Sequence, residues 1–133
     1  MRERLTFLLI TLLMIGCGRM EETWYDSGSP RSVLHYRGSE LHGTATWYHE
    51  NGNKREEFTY VKGELNGPAR RWHSNGKLAS EDHYVDGRRE GLSRSWDAQG
   101  RLSFSSMVSA DTLHGSHAEY YINGVKKVEG TYW

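Results

Sequence analysis

The sequence is poor in the residues that usually stabilise a small domain. It has one cysteine and two prolines in 133 residues, and a single cysteine cannot form a disulfide within the chain. After position 16 only 14 residues are Leu, Ile or Val, which is too few for an ordinary two-layer core. The 17 basic and 17 acidic side chains cancel, so the charge footprint of a nucleic-acid-binding protein is missing.

Aromatic residues are abundant by contrast, with five Trp and eight Tyr. A chain with so few aliphatic residues is usually disordered, but such chains are also poor in aromatics and carry a large net charge. Neither condition holds here. We therefore expect one folded domain whose interior is built from aromatic side chains.

The longest apolar run lies near the amino end of the chain. Two arginines precede the run Leu5–Ile15, which only two threonines interrupt, and Gly16 and Cys17 follow. The run is about half the ~20 residues that a transmembrane helix needs, so it is typical of a signal peptide rather than of a membrane span. The expected boundaries are residues 1–16 for the signal peptide and 17–133 for the mature domain.

The segment Leu13–Cys17 (LMIGC) resembles the lipobox of bacterial lipoproteins, although Met14 stands where leucine is usual. In that family the cysteine is lipidated and becomes the new amino terminus. The resemblance implies an exported protein that several acyl chains on Cys17 hold at a membrane. Gly18 and Arg19 replace the aspartate that tends to mark inner-membrane retention, which implies the outer membrane in a Gram-negative host. The alternative is an ordinary signal peptide with an incidental cysteine.

A spacing of 24 residues governs the rest of the chain, and it predicts a repeat protein. Five units follow, with boundaries at 19–42, 43–66, 67–90, 91–114 and 115–133. The main aromatic series, which we call the aromatic ladder, is Trp24, Tyr48, Trp72, Trp96 and Tyr120. The second aromatic series is Tyr36, Tyr60, Tyr84 and Tyr132, with Val108 in its fourth place. The two glycine series are Gly43, Gly67, Gly91 and Gly115, and Gly28, Gly52, Gly76, Gly100 and Gly124.

Within each unit the sequence predicts a β-hairpin. Asn-Gly between two short segments, as at Asn51-Gly52, is a strong hairpin signal because both residues tolerate a positive φ. Lys62-Gly63 and Asp86-Gly87 mark a second turn that leads into the next unit. The expected fold is all-β: a single-layer antiparallel β-meander of about five 24-residue hairpin repeats, with about ten strands in an open elongated sheet.

Two registers are open within each hairpin. A two-residue loop pairs the ladder with Arg55, Ala79, Ser103 and Lys127. A three-residue loop with a bulged glycine pairs it with Lys54, Leu78, Leu102 and Lys126. One residue of slip moves every side chain to the other face. We favour the bulged loop, because it is expected to put Phe58, Phe104, Val128 and the second tyrosine series on the same face as the ladder.

The unit resembles the bacterial variant of the MORN (membrane occupation and recognition nexus) repeat. Its hallmark is aromatic-x-x-Asn-Gly, then aromatic-x-x-Gly and a glycine that opens the next unit, as in residues 48–52, 60–63 and Gly67. The resemblance covers essentially the whole mature chain, and the degenerate end units are what capping repeats should look like. Many relatives carry a YwqK-type antitoxin label, which makes an antitoxin one function that the resemblance implies.

No residue pattern indicates catalysis or a metal site. His49 and His73 share a repeat position, so we expect solvent-facing residues ~10 Å apart, too far to bind one zinc ion at ~2.1 Å per bond. Asp111, His114 and Ser116 are the residue types of a hydrolytic triad, but a turn leading into a strand cannot gather them around one reacting atom. We predict no enzyme, no catalytic residue, no cofactor and no metal.

The aromatic ladder is the candidate binding feature. Its rings can either join neighbouring hairpins or stack on a partner's apolar patch or sugar ring, and as core residues they predict a cost of ~3–5 kcal/mol for Trp72→Ala. The sequence predicts a non-catalytic lipid-anchored repeat protein that binds a protein or another partner at the cell envelope. The alternatives are an antitoxin or immunity component that neutralises a cognate toxin, and polysaccharide binding through the ladder.

Overall fold

The computed structural model describes residues 11–15 and 18–132, and Cys17, the expected lipidation site, lies outside them. The described residues form thirteen strands and contain no helix long and apolar enough to cross a membrane. The strands are β1 (Thr11–Ile15), β2 (Gly18–Trp24), β3 (Pro30–Arg37), β4 (Glu40–Leu41), β5 (Gly43–Tyr48), β6 (Lys54–Val61), β7 (Glu64–Trp72), β8 (Leu78–Val85), β9 (Arg88–Arg89), β10 (Gly91–Trp96), β11 (Leu102–Ser109), β12 (Thr112–Tyr120) and β13 (Lys126–Tyr132).

All thirteen strands belong to one antiparallel sheet, and they cross it in chain order without a return to the first strand. The two-residue strands β4 and β9 pair with β3 and β8 and directly precede β5 and β10. Each of the five repeat units supplies two long strands, beginning with β2 and β3. The predicted all-β meander with an open sheet is therefore confirmed. β1, which pairs with β2, lies within the expected signal peptide.

The loop that follows each ladder residue has three residues, as the register favoured from the sequence predicts. In the second unit the Gly52 N–H donates to the His49 carbonyl (2.9 Å) and the His49 N–H to the Asn53 carbonyl (2.8 Å). Of the three loop residues only Gly52 has a positive φ, +87°, which is the pattern of a type I turn closed by a bulged glycine. The ladder pairs are Tyr48–Lys54, Trp72–Leu78, Trp96–Leu102 and Tyr120–Lys126, so the predicted register is confirmed.

A second bulge makes the predicted assignment of faces wrong. After Tyr48–Lys54 the next pair is Trp47–Glu56, so Arg55 is an extra residue on β6. Every side chain beyond this bulge changes face relative to the simple register. We call the side that carries the ladder the ladder face. The other side, the tyrosine face, carries Tyr36, Tyr60, Tyr84, Val108 and Tyr132 together with Phe58, Phe104 and Val128.

In the second, third and fourth units the second turn has two successive positive φ values, whereas in the first unit only Gly38 of the two turn residues has one. Lys62 and Gly63 have φ of 51° and 81°, and Asp86 and Gly87 repeat this with 48° and 76°. These are two-residue turns of the type I′ class, whose twist matches that of the flanking strands. The type I′ conformation, for which Asn-Gly is the preferred sequence, therefore occurs at the Lys62-Gly63 and Asp86-Gly87 turns. The Asn-Gly pairs of the repeat do not adopt it.

The most buried side chains lie in the middle of the tyrosine face. Ala45 and Ala69 are 0% and 1% exposed, and Phe58 stands opposite both of them on β6. The Trp47 and Phe58 rings lie 5.7 Å apart beside Ala45. A one-layer sheet has no second layer to bury its side chains, so burial must come from larger neighbouring side chains on the same face. Only small residues such as alanine can be buried this deeply by their aromatic neighbours.

The three-residue loops of the second and third units are each hydrogen-bonded to the loop of the following unit through an asparagine. The Asn51 side-chain oxygen accepts the Asn53 N–H (3.1 Å), while its amide donates to the Ser74 carbonyl (2.7 Å). Asn75 repeats both bonds, and its amide lies 2.6 Å from the Ala98 carbonyl. The asparagine of the repeat therefore closes its own turn and joins it to the next one.

We expect Asn75→Ala to lower the free energy of unfolding by about 2 kcal/mol, because two hydrogen bonds worth ~1 kcal/mol each are lost. Asn123→Ala is the matched control: within the described residues Asn123 makes only the local bond from the Val125 N–H (3.0 Å), so about 1 kcal/mol is expected. Urea denaturation of both variants measures the difference. Equal losses would contradict a stabilising bond between loops.

Candidate functional site

The aromatic ladder lies along one end of the strands. Each of its residues is the last of its strand, one residue before a three-residue loop, and all five side chains are half-buried. Successive members are two strands or ~10 Å apart. In the described part of the chain, the aromatic ring pairs in contact are Trp47–Phe58 and His117–Tyr132. The ladder rings therefore do not stack on one another, and other side chains must fill the space between them.

Basic side chains occupy part of that space. The Lys54 ammonium lies 5.5 Å from the centre of the Trp72 ring, and the Arg94 guanidinium lies 5.4 Å from that of Trp96. Both distances allow an attraction between the cation and the electron-rich ring face. Leu78 and Leu102 stand opposite the two tryptophans on the neighbouring strands. The centre of the ladder face is thus an alternation of aromatic, aliphatic and cationic groups.

An ionic network crosses the ladder face beside these tryptophans. The Glu81 carboxylate on β8 accepts hydrogen bonds from Arg70 on β7 and from Arg94 on β10, both at 3.2 Å. Partial burial alone would raise the pKa of Glu81, but the hydrogen bonds and charges of the two arginines outweigh it and hold the pKa below its ordinary value. Glu81 therefore remains ionised, and it ties three consecutive long strands together.

This network predicts a loss of stability in acid. A carboxyl group whose pKa is lowered by folding stabilises the protein above its unfolded pKa, and the stabilisation disappears as the pH falls through the folded pKa. We expect Glu81→Gln to be less stable than the wild type at neutral pH by ~0.5–1 kcal/mol and the gap to close below about pH 4. Urea denaturation across this range tests it. A gap independent of pH would contradict ionic stabilisation by Glu81.

The two repeat histidines are structural and are not the solvent-facing residues that the sequence predicts. His49 and His73 are half-buried, and their Nε2 atoms lie 3.0 and 2.9 Å from the carbonyl oxygens of Trp72 and Trp96. Because a carbonyl can only accept, Nε2 carries the proton and donates it. Tyr25 holds the same place in the first unit, and its hydroxyl donates to the Tyr48 carbonyl (2.7 Å). Each of these side chains joins a unit to the next ladder residue.

The residue types of a hydrolytic triad do not converge. Asp111 lies in the turn before β12, and its carboxylate accepts the Arg89 N–H at 3.0 Å. His114 and Ser116 are both exposed on β12, and no hydrogen bond between the described side chains links either of them to Asp111. Nor do any three His, Cys, Asp or Glu side chains come together as metal ligands among residues 18–132.

A polar cluster in the middle of the tyrosine face was not anticipated. Asp82 is only 8% exposed, accepts the Ser93 hydroxyl proton at 2.6 Å and lies 3.8 Å from the Arg71 guanidinium. It stands 24 residues after Phe58, so the face changes from apolar to polar between the second and third units. The only sign of this change in the sequence is that Phe58 and Asp82, which share a repeat position, differ in polarity.

Comparison with known proteins agrees with this geometry. Residues 41–62 and residues 65–86 each match the MORN repeat variant, and these two segments form the hairpins of the second and third units. No curated protein gives a significant match. MORN repeats generally serve as repeat modules in binding or membrane-associated proteins and are generally non-catalytic. The centre of the sheet is therefore built from two copies of the MORN repeat variant.

Proposed function

We propose that this chain is a non-catalytic, lipid-anchored repeat protein that binds a protein partner at the cell envelope through its ladder face. The observation that carries the proposal is the surface around Trp72 and Trp96, where half-buried rings alternate with Arg70, Glu81 and Arg94. Aromatic residues and arginine are the types most enriched where protein interfaces gain their binding energy. The ion pairs prearrange these long side chains, which lowers the entropy that binding would cost.

A protein fits this surface better than a polysaccharide does. A sugar ring stacks on an open aromatic face, whereas Lys54 and Arg94 lie close to the Trp72 and Trp96 rings. A surface of mixed charge is instead suited to a partner with complementary charges. Polysaccharide binding remains an outcome that the experiment below can detect.

The membrane anchor in this proposal rests on the resemblance of Leu13–Cys17 to a lipobox. Because β2 begins at Gly18, an acylated Cys17 would be joined to the sheet without a linker and would hold it against the membrane. Metabolic labelling with a radioactive fatty acid tests this step. Labelled protein in the membrane fraction is expected, and Cys17→Ser should abolish both the label and the membrane association. Unchanged fractionation of this variant would contradict the anchor.

The binding step is tested by cross-linking the full-length protein in its native envelope and identifying what is recovered with it by mass spectrometry. Arg94→Glu is the test variant, since it reverses a charge in the ladder-face network. Arg88→Glu is the matched control: Arg88 is exposed on β9, directly after a turn, and no ion pair involves it among the described residues. We expect one stoichiometric protein that wild type and Arg88→Glu retain and Arg94→Glu loses.

The other results separate the alternatives. A toxin as the recovered protein would make this chain an immunity component. Equal recovery with both arginine variants would place the interface away from the ladder face. Failure to recover any protein, with sugar binding that Trp96→Ala abolishes, would replace the proposal with polysaccharide recognition.

A further inference from the structure

The fifth repeat unit carries the groups that join one unit to the next, and among residues 18–132 these groups have no partner. Tyr121 stands at the position of Tyr25 and His49, and Asn123 at that of Asn51 and Asn75. Within the described residues neither the Tyr121 hydroxyl nor the Asn123 amide makes a hydrogen bond, and the outer edge of β13 pairs with no strand. The same groups in earlier units are bonded to the following unit.

This unit is also where apolar side chains are most exposed. Among the side chains of residues 18–132, five of the nine large exposed hydrophobic residues belong to it, each more than 40% exposed: Tyr121, Ile122, Val125, Val128 and Tyr132. A sheet edge with free backbone groups and apolar side chains favours the addition of another strand. The charges on β13 are two lysines and one glutamate, a net of +1.

The opposite edge of the repeat domain already receives a strand. β1 pairs antiparallel with β2 over five residues, from Thr11–Glu22 to Ile15–Gly18. Since β1 lies inside the expected signal peptide, cleavage before Cys17 would remove it and leave the outer edge of β2 open. β2 carries one arginine and two glutamates, a net of −1, which is opposite in sign to β13.

We propose that β13 of one molecule pairs antiparallel with β2 of a second, mature molecule, so that the sheet continues from copy to copy. The proposal rests on the signal-peptide cleavage in the proposed function. Extension of the β11–β12 register, in which Phe104 pairs with Glu119 and Ser106 with His117, by one 24-residue unit sets Val128 opposite Thr23 and Gly130 opposite Glu21 of the next copy.

This register also gives partners to the unused donors. The Tyr121 hydroxyl would reach the Trp24 carbonyl of the next copy, as Tyr25 reaches Tyr48 at 2.7 Å. The Asn123 amide would reach the Asp26 carbonyl, as Asn51 reaches Ser74 at 2.7 Å. A second copy presents both carbonyls in the repeat's own loop, which the Gly28 N–H closes on the Tyr25 carbonyl at 2.9 Å, whereas an unrelated strand would need to end in the same loop to do so. Because the contact is head-to-tail and does not close on itself, chains of several copies result.

The test is disulfide cross-linking of the full-length protein, expressed with its own leader, in isolated membranes. Thr23→Cys and Val128→Cys are combined in one chain. Within a molecule these positions are nine strand spacings or ~43 Å apart, far beyond the ~6 Å that a disulfide spans between Cα atoms, so only neighbouring copies can join. Thr23→Cys with Met107→Cys is the control, since Met107 is exposed but lies on an interior strand.

We expect most of the doubly substituted protein to run as dimers and longer species on a non-reducing gel, and the control to remain monomeric. Tyr121→Phe, which removes only the hydroxyl, should lower the yield of linked species. Cleaved, membrane-bound protein that gives no more linkage than the control would overturn the inference and leave the anchor intact. Uncleaved protein in the soluble fraction would overturn the anchor and, with it, the vacant β2 edge. Cross-linking of protein that still carries its signal peptide would contradict the inference that β1 occupies the edge of β2 and so prevents β13 of another copy from pairing there.

Discussion

Gly67→Ala is expected to lower the free energy of unfolding by about 3 kcal/mol. Gly67 has a φ of +117°, where a residue with a Cβ atom is strained, and an added Cβ would lie 3.3 Å from the Cβ of Thr59. The conformation arises from a bulge on β7, where the pair Phe58–Ala69 is followed by Tyr60–Leu65. Gly67 pairs with Tyr84 on β8, and Leu65 and Ala69 on either side of it pair with β6, so the backbone has little freedom to relieve the contact. Urea denaturation measures the loss.

Gly52→Ala is the control for this prediction. Gly52 also has a positive φ, +87°, but no atom lies within 4 Å of the position an added Cβ would take. It therefore reports the backbone penalty alone, which is ~1 kcal/mol. The excess loss at Gly67 measures the close approach of β7 to Thr59. Equal losses in the two variants would show that the sheet shifts freely at this bulge.

Trp72→Ala is expected to lower the free energy of unfolding by about 2–3 kcal/mol, below the ~3–5 kcal/mol predicted for a core tryptophan. The ring is half-buried, and the variant loses only its contacts with the Lys54 and Leu78 side chains and with the sheet. Trp72→Phe, which keeps a ring, should cost less than about 1.5 kcal/mol. Thermal and urea unfolding of both variants provide the comparison.

The result also bears on binding. A Trp72→Ala variant that unfolds like the wild type but fails to recover the envelope partner would make the ring an interface residue rather than a support for the sheet. Loss of stability without loss of the partner would make it a support alone. Either result assigns a role to Trp72, because stability and partner recovery are measured on the same variant.

The fold could be predicted from the sequence because its strongest determinants repeat. Glycines at a 24-residue spacing mark the places where the backbone needs a positive φ, and Gly52 and Gly67 are examples on the two kinds of bulge. Together with the turn signals, those glycines predicted the ten long strands of the repeat units and their antiparallel order. These features depend on backbone sterics, which residue type reveals directly. The three-residue loop was predicted correctly for a different reason, an apolar face shared by the ladder and Phe58, and the structure does not contain that face.

The assignment of faces could not be predicted in the same way. The extra residue that moves Phe58 to the face opposite Tyr48 is Arg55, and its equivalents are Arg31, Ala79, Ser103 and Lys127. These five residues share no single property, because a bulge of this kind needs no special φ from a glycine. A sequence pattern therefore contains no sign of it.

The site was only partly predictable for a different reason. The aromatic ladder is visible as a series, but the ion pairs of Glu81 with Arg70 and Arg94 join residues that occur together in only one part of the repeat array. The role of His49 was also missed, since its bond goes to a backbone carbonyl in the next unit. Contacts with a backbone atom place no demand on the identity of the residue that owns it.

The asparagine bonds between three-residue loops run in one direction along the chain. Asn51 and Asn75 donate forward to Ser74 and Ala98, and each acceptor lies 23 residues after its donor. A chain lengthened or shortened by one whole 24-residue unit would keep the geometry of these bonds, whereas a change of half a unit, which is one strand, would place the next three-residue loop at the opposite end of the strands and break them. The length of this sheet is therefore adjustable in fixed steps, and a gain of binding surface by duplication of a unit requires no redesign of its neighbours.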